Sequence, residues 1–222
     1  MKLTMHRVTT PAARYDMQRL LSERGEWLQA RGSRQWAGEG LAPERIAGIA
    51  ARGGSYIAVR EDGMLAGTIT VSGDGDLDFW IEAERAEPAW YLSKMATSLE
   101  HGRGLGGWML RWAVDRAAQD GRAWCRLDVT RYEEAQPLRD WYAAQGWERV
   151  RTAVVEGKKS GALFQCRVAE DLEAREKFSA ELPWLDADRP QSALIPEDAW
   201  SVKLSSGHRV EFMDPDPIYQ FD

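Results

Sequence analysis

Only two cysteines occur in 222 residues, Cys125 and Cys166, and their spacing neither pairs thiols nor grips a metal. This excludes a disulfide-stapled scaffold and argues against zinc. Both fall inside strand-like segments and read as reduced, buried small residues. Long apolar runs are missing too: none approaches the ~20 residues needed to span a bilayer. The N-terminal Met-Lys-Leu-Thr-Met-His-Arg lacks the apolar core of a signal peptide. A cytoplasmic location with no membrane partner is the resulting expectation. Basic charge is also in short supply. A formal net charge of −6 argues against a nucleic-acid surface and fits cationic substrates such as amines.

What is present, 44% hydrophobic and 29% charged residues, is the composition of a globular protein with one substantial core and an appended subdomain. Apolar residues recur at helical spacing from Pro11 to Ala30, after Thr9-Thr10 and before Gly32. A shorter helix is expected from Pro43 to Ala51. Tyr56 to Arg60 and Leu65 to Ser72 read as strands joined at Glu61-Asp62-Gly63, a strong hairpin signal. An acidic connection, Asp74 to Glu87, leads to a strand at Trp90 to Thr97. A helix from Leu105 to Gln119, a strand from Ala123 to Val129, a short helix from Pro137 to Gln145, and strands at Trp147 to Val154 and Ala162 to Val168 complete the core. Strands before, between and after helices indicate an α/β domain.

Residues 101 to 107 read His-Gly-Arg-Gly-Leu-Gly-Gly and open the helix at Leu105. Such a turn presents unpaired N–H groups to an anion at the positive helix end. Gly102, Gly104 and Gly107 satisfy the dinucleotide pattern GxGxxG, and Asp128 stands about 20 residues further on, where that pattern asks for a ribose-binding acid. Against this, the polar Ser98-Leu99-Glu100-His101 separates the strand from the turn, and too little chain follows for repeated βαβ units. Gly157-Lys158-Lys159-Ser160 lacks the earlier glycine of a nucleotide-triphosphate loop and reads as a hairpin turn.

A different pattern, [Q/R]xxGx[G/A], places His101 first, Gly104 fourth and Gly106 sixth. Together with the strand Trp90 to Thr97, the next strand at Trp124 to Val129 and the run Trp141-Tyr142-Ala143-Ala144-Gln145-Gly146-Trp147, it resembles the GNAT acetyltransferase superfamily over residues 3 to 168. Three features depart from that pattern: a histidine at the first position, a span from Thr97 one residue short, and Glu133-Glu134-Ala135-Gln136 where an asparagine often precedes the tyrosine helix.

The resemblance implies a mixed, mostly antiparallel central sheet flanked by helices, with a C-terminal extension, and acetyl-CoA as the cofactor. Met95, Ala96 and Thr97 would bond the pantetheine arm through their backbones. His101, Gly102, Arg103, Gly104, Leu105, Gly106, Gly107 and Trp108 would surround the pyrophosphate. Tyr142 matches the tyrosine that protonates the coenzyme A sulfur. The amine needs a base, and Asp78 and Glu82, flanking the large apolar Trp80, are the preferred carboxylates among Asp78, Glu82, Glu84 and Glu87. Trp36 and Trp80 are expected to wall the acceptor, with Trp27 and Trp90 nearby.

Residues 1 to 168 thus form the catalytic domain, and 169 to 222 an extension. Within the extension a helix is expected at Glu170 to Ala180, with a hairpin around Ser205 to His208. Its apolar Trp184, Leu185, Trp200 and Phe212 predict docking on the core or exchange within a homodimer. The function expected is transfer of acetyl from acetyl-CoA to a primary amine of a small molecule by direct attack in a ternary complex. A protein or peptide N-acetyltransferase and a non-catalytic acyl-CoA-binding regulatory module are the alternatives.

Overall fold

A computed structural model describes residues 3–36, 41–52, 54–100 and 105–168. The extension and the turn residues His101, Gly102, Arg103 and Gly104 lie outside them, as do the helix and hairpin expected in the extension. Seven strands form one sheet: β1 (Leu3–Arg7), β2 (Ser55–Arg60), β3 (Leu65–Ser72), β4 (Ala89–Thr97), β5 (Trp124–Thr130), β6 (Glu148–Thr152) and β7 (Ser160–Arg167). Their spatial order is β1-β2-β3-β4-β5-β7-β6. Neighbours are antiparallel except β4 and β5, which run parallel and so need a crossover.

The helices are α1 (Pro11–Ala30), α2 (Pro43–Ala51), α3 (Glu82–Arg85), α4 (Leu105–Gln119) and α5 (Gln136–Ala144). At the start of α1 the Thr10 side chain accepts the Ala13 N–H at 3.2 Å and proline occupies the first turn, where its missing N–H costs nothing. The crossover is α4. Leu105, Trp108, Met109, Trp112 and Ala113 on its buried face each remove apolar surface worth about 1.5–3 kcal/mol for the larger side chains.

Alternation along the strands sorts the core into two layers. Tyr56 and Ala58 join the cluster around α4 and α5, with Tyr56 edge-on to Trp112 at 4.8 Å between ring centres. Ile57 and Val59 join Met17, Leu20, Leu21 and Ile46 of α1 and α2. Gly67 allows the close fit of α4 on β3, since a Cβ there would lie 2.8 Å from Met109 Sδ and 2.9 Å from the Ala96 carbonyl oxygen.

Three features differ from the sequence reading. β1 has no counterpart there: it is five residues long and half polar, too weak a pattern to stand out. The acidic connection is not all loop, because α3 forms within it. Cys166 is half-buried rather than buried, and it sits directly across from Cys125 in the β5–β7 ladder; burial raises both thiols above their ordinary pKa, with the Cys125–Cys166 interaction adding to the effect at Cys125. No helix among the described residues is long and apolar enough to cross a membrane.

Candidate functional site

The parallel pair β4–β5 is paired only at its beginning. Register runs from Ala89 opposite Trp124 to Leu92 opposite Leu127 and stops there. Beyond that point β4 continues to Thr97 along β3, and β5 continues to Thr130 along β7. The cause lies in β4. Between Thr68 and Thr70 of β3, the β4 partners advance from Ala96 to Ser93, so β4 carries one extra residue, a bulge that bends the strand. Lys94 sits in that bulge with φ of 51°, a conformation costly for a residue bearing a Cβ. Residues 93–97 therefore form no ladder with β5, which leaves main-chain donors and acceptors along this edge for another partner. Met95, Ala96 and Thr97 stand on this edge.

One side chain from outside the sheet fixes the end of β4. Arg24 of α1, only 2% exposed, reaches the Thr97 carbonyl oxygen and hydroxyl. Leu105 then opens α4, with Gly106, Gly107 and Trp108 in its buried first turn and no acidic residue there to oppose an anion.

Tyr142, in α5, is 6% exposed. Its ring packs against Trp141, Trp147 and Phe164 at centroid distances of 5.0, 6.1 and 5.8 Å. Phe164 is the register partner of Leu127 on β5, so Tyr142 stands on the α4–α5 face, level with the point where the strands part.

The next β5 residue, Asp128, is paired with Leu163 and hence projects to the opposite face. Desolvation holds the Asp128 carboxyl above its ordinary pKa, and Asp76 adds to this; a Ser160 hydrogen bond and the charges of Lys158 and Lys94 oppose it. Asp128 remains partly exposed. In the sequence Asp128 stands out only as a candidate ribose ligand; its position at the parting of the strands is a property of the fold.

The carboxylates preferred from sequence are differently placed. Asp78 is exposed and ion-paired with Lys158 at 2.7 Å, which also grips Asp76. Glu82 is exposed at the first position of α3. Glu84 is bound by Arg151 and by the Ile81 N–H, and the Arg151 hydrogen bond, the largest cause, lowers its pKa. Glu87 is held by Arg126. These pairs fasten the β3–β4 connection to β5, β6 and the β6–β7 turn.

Trp80 is no pocket wall: at 1% exposed it packs against Tyr91 and beneath the Arg126 and Arg151 guanidiniums, so its surface is already consumed. Trp36 differs. It is half-buried, with φ of 56°, and touches both core layers. Just before it, Arg34 forks onto Glu134 at 2.9 Å through two nitrogens and stacks on Tyr132, tying the segment after α1 to the segment after β5. Trp27 lies between Arg24 and Arg31, and Trp90 beside Arg122.

The family model described as Acetyltransferase (GNAT) family matches residues 18–147. No curated protein matches at a significant level. Among solved structures, an acetyltransferase of the GNAT family from Listeria monocytogenes is 21% identical with a TM-score of 0.61, covering 74% of this chain and 94% of that one. The yncA protein of Salmonella typhimurium, solved with its cofactor acetyl-CoA, is 15% identical with a TM-score of 0.53, covering 77% and 96%. An aminoglycoside 6'-acetyltransferase type Ii is 12% identical with a TM-score of 0.52, covering 77% and 99%. At these identities the structures speak for the fold, and the family match extends over more than half of the sequence. The chain belongs to the acetyltransferase (GNAT) family.

Proposed function

We propose that this chain transfers the acetyl group of acetyl-CoA to the primary amine of a small molecule by direct attack in a ternary complex. The observation that carries the reading is the parting of β4 and β5 after Leu92 and Leu127, with Asp128 on one face of the sheet and Tyr142 on the other. The residues present fit the cofactor. The unladdered edge at Met95, Ala96 and Thr97 suits the amide-bearing pantetheine arm. The first turn of α4, from Leu105 through Gly106 and Gly107 to Trp108, free of acidic side chains, suits the pyrophosphate, with His101 to Gly104 leading into it.

Bound acetyl-CoA supplies the thioester whose C–S bond breaks as the acceptor N–C bond forms. Asp128 takes the proton that the attacking ammonium must lose. Its raised pKa makes it a better base than an ordinary carboxylate. This role passes to Asp128 from Asp78 and Glu82, whose side chains are ion-paired or at the surface. Tyr142 gives a proton to the departing thiolate from the opposite face and regains one through solvent as the acylated nitrogen sheds its second proton. Trp36 borders the acceptor side, and residues 1–168 carry the whole apparatus. Of the proteins that share the fold, the aminoglycoside 6'-acetyltransferase is named for a small-molecule acceptor, and the yncA structure holds acetyl-CoA.

The test is thiol release from acetyl-CoA across a panel of amino acids, amines, aminoglycosides and peptides, beside calorimetry with acetyl-CoA and NAD. Thiol release with a small amine and tight acetyl-CoA binding are expected. Preferential NAD binding, or acetyl-CoA binding with no release in any amine, would overturn the reading; release with peptides alone would replace the acceptor class.

A further inference from the structure

The face of the sheet that bears Asp128 also gathers positive charge, and this runs against the acidity of the whole chain. Lys94 occupies the β4 bulge two residues past the last β4–β5 pair. Two residues further on, Ala96 belongs to the same core cluster as Ile46 of α2, so α2 covers this face, and Arg45, the residue before Ile46, is exposed on that helix. The electrostatics agree: Lys94 is desolvated, repelled by Arg45 and attracted by Asp128. Lys158, the other cation acting on Asp128, is already committed to Asp76 and Asp78.

A desolvated lysine with a second cation acting on it is costly, and an arriving anion relieves that cost. A purely cationic acceptor meets the same pair as repulsion, whatever the net charge of −6 does at long range. We infer that the acceptor is a zwitterion of the amino-acid class, its carboxylate held by Lys94 and Arg45 and its amine turned toward Asp128. This rests on the acetyltransferase reading only in taking the parting of β4 and β5 as the acceptor site. It narrows that reading from amines in general to amines that carry a nearby oxyanion.

The test is a matched-pair binding measurement that needs no turnover. Calorimetry on the protein saturated with coenzyme A compares leucine with isoamylamine, phenylalanine with phenethylamine, methionine with its decarboxylated amine, and β-alanine with ethylamine. At least one carboxylated member should bind about tenfold or more tightly than its partner, as expected of a charge-assisted contact. The ratio should fall toward unity in Arg45→Ala and in Lys94→Met. Arg45 is exposed, so its variant carries the test if Lys94→Met does not fold.

Equal or tighter binding of the decarboxylated member in every pair overturns the inference, as does a preference that survives both substitutions. Failure here with thiol release to a plain amine leaves the acetyltransferase reading standing. A carboxylate preference without any thiol release does the reverse.

Discussion

Arg24 of α1 closes the end of β4 by donating from Nε and Nη2 to the Thr97 carbonyl oxygen at 3.2 and 2.9 Å, and from Nη2 to the Thr97 hydroxyl at 2.9 Å. The contact joins residues 73 apart in sequence and fixes the last residue of β4. Arg24→Met leaves the carbonyl without this partner, and a lost charge-assisted hydrogen bond of this kind costs about 2–3 kcal/mol. The melting temperature should fall and acetyl-CoA affinity should fall with it. Thr97→Val keeps the carbonyl bonds and should cost less on both measurements. Equal affinity for acetyl-CoA in the wild type and Arg24→Met would remove the contact from cofactor binding.

Asp128→Asn separates stability from activity. As the proposed base, Asp128 contributes about 10²- to 10⁴-fold to the rate, so kcat should drop within that range when assayed at neutral pH. Stability moves the other way. The folded pKa lies above the ordinary 3.8, so the native state holds more protons between those two values and its stability falls as pH rises through them. At neutral pH the wild type carries that deficit and the asparagine variant does not. The variant should melt at the same or a higher temperature near pH 7, with the difference gone below about pH 3.8. In the wild type, the acid limb of kcat/KM should lie above the normal carboxylate range. A variant with full activity, or an unshifted acid limb, would return the base to another residue.

The helices, the Asp-Gly hairpin and the crossover were legible because each is written locally, in apolar period, caps and turn residues. On the donor side the sequence could nominate candidates for the same reason: the run from Leu105 to Trp108 and the segment from Trp141 to Trp147 are contiguous. The acceptor side depends on contacts between distant residues. Which acids in the β3–β4 connection are engaged is decided by Arg126, Arg151 and Lys158, which lie 39 to 82 residues away from their partners. The bulge at Lys94 carries no glycine to announce it, and Asp128 gains its place only from where β4 and β5 part. Trp80 misled for a related reason. A large aromatic between two acids reads as a wall, but its faces are taken by Tyr91 and two arginines.

The fork between Arg34 and Glu134 should make stability dependent on pH in the acid range. Its hydrogen bond to Arg34, the largest cause, holds Glu134 at about 2 against an ordinary 4.5. A depressed pKa contributes stability that is complete above 4.5 and is lost as pH falls toward 2. Glu134→Gln should therefore melt below the wild type at pH 7, and the gap should close as pH falls through that window. Added salt should shrink the gap at neutral pH, since both side chains meet solvent. A gap that persists at pH 2 would assign the effect to packing of Glu134 rather than to its charge.

Tyr142→Phe is the sharpest test of the donor side, because removing one oxygen leaves the ring in place. The ring packs with Trp141, Trp147 and Phe164, and those contacts survive the substitution, so the fold should be retained with at most a modest change in melting temperature. If the hydroxyl protonates the leaving thiolate, kcat should fall by about 10²-fold or more while acetyl-CoA affinity holds. The loss should shrink when the leaving group is a more acidic thiol, since a stabilised thiolate needs less help in departing. Tyr142→Ala should instead open a cavity in the main core and cost about 3–5 kcal/mol, a loss of protein rather than of chemistry. Full activity in Tyr142→Phe beside an unstable Tyr142→Ala would identify Tyr142 as a core residue and leave the thiolate to be protonated by solvent.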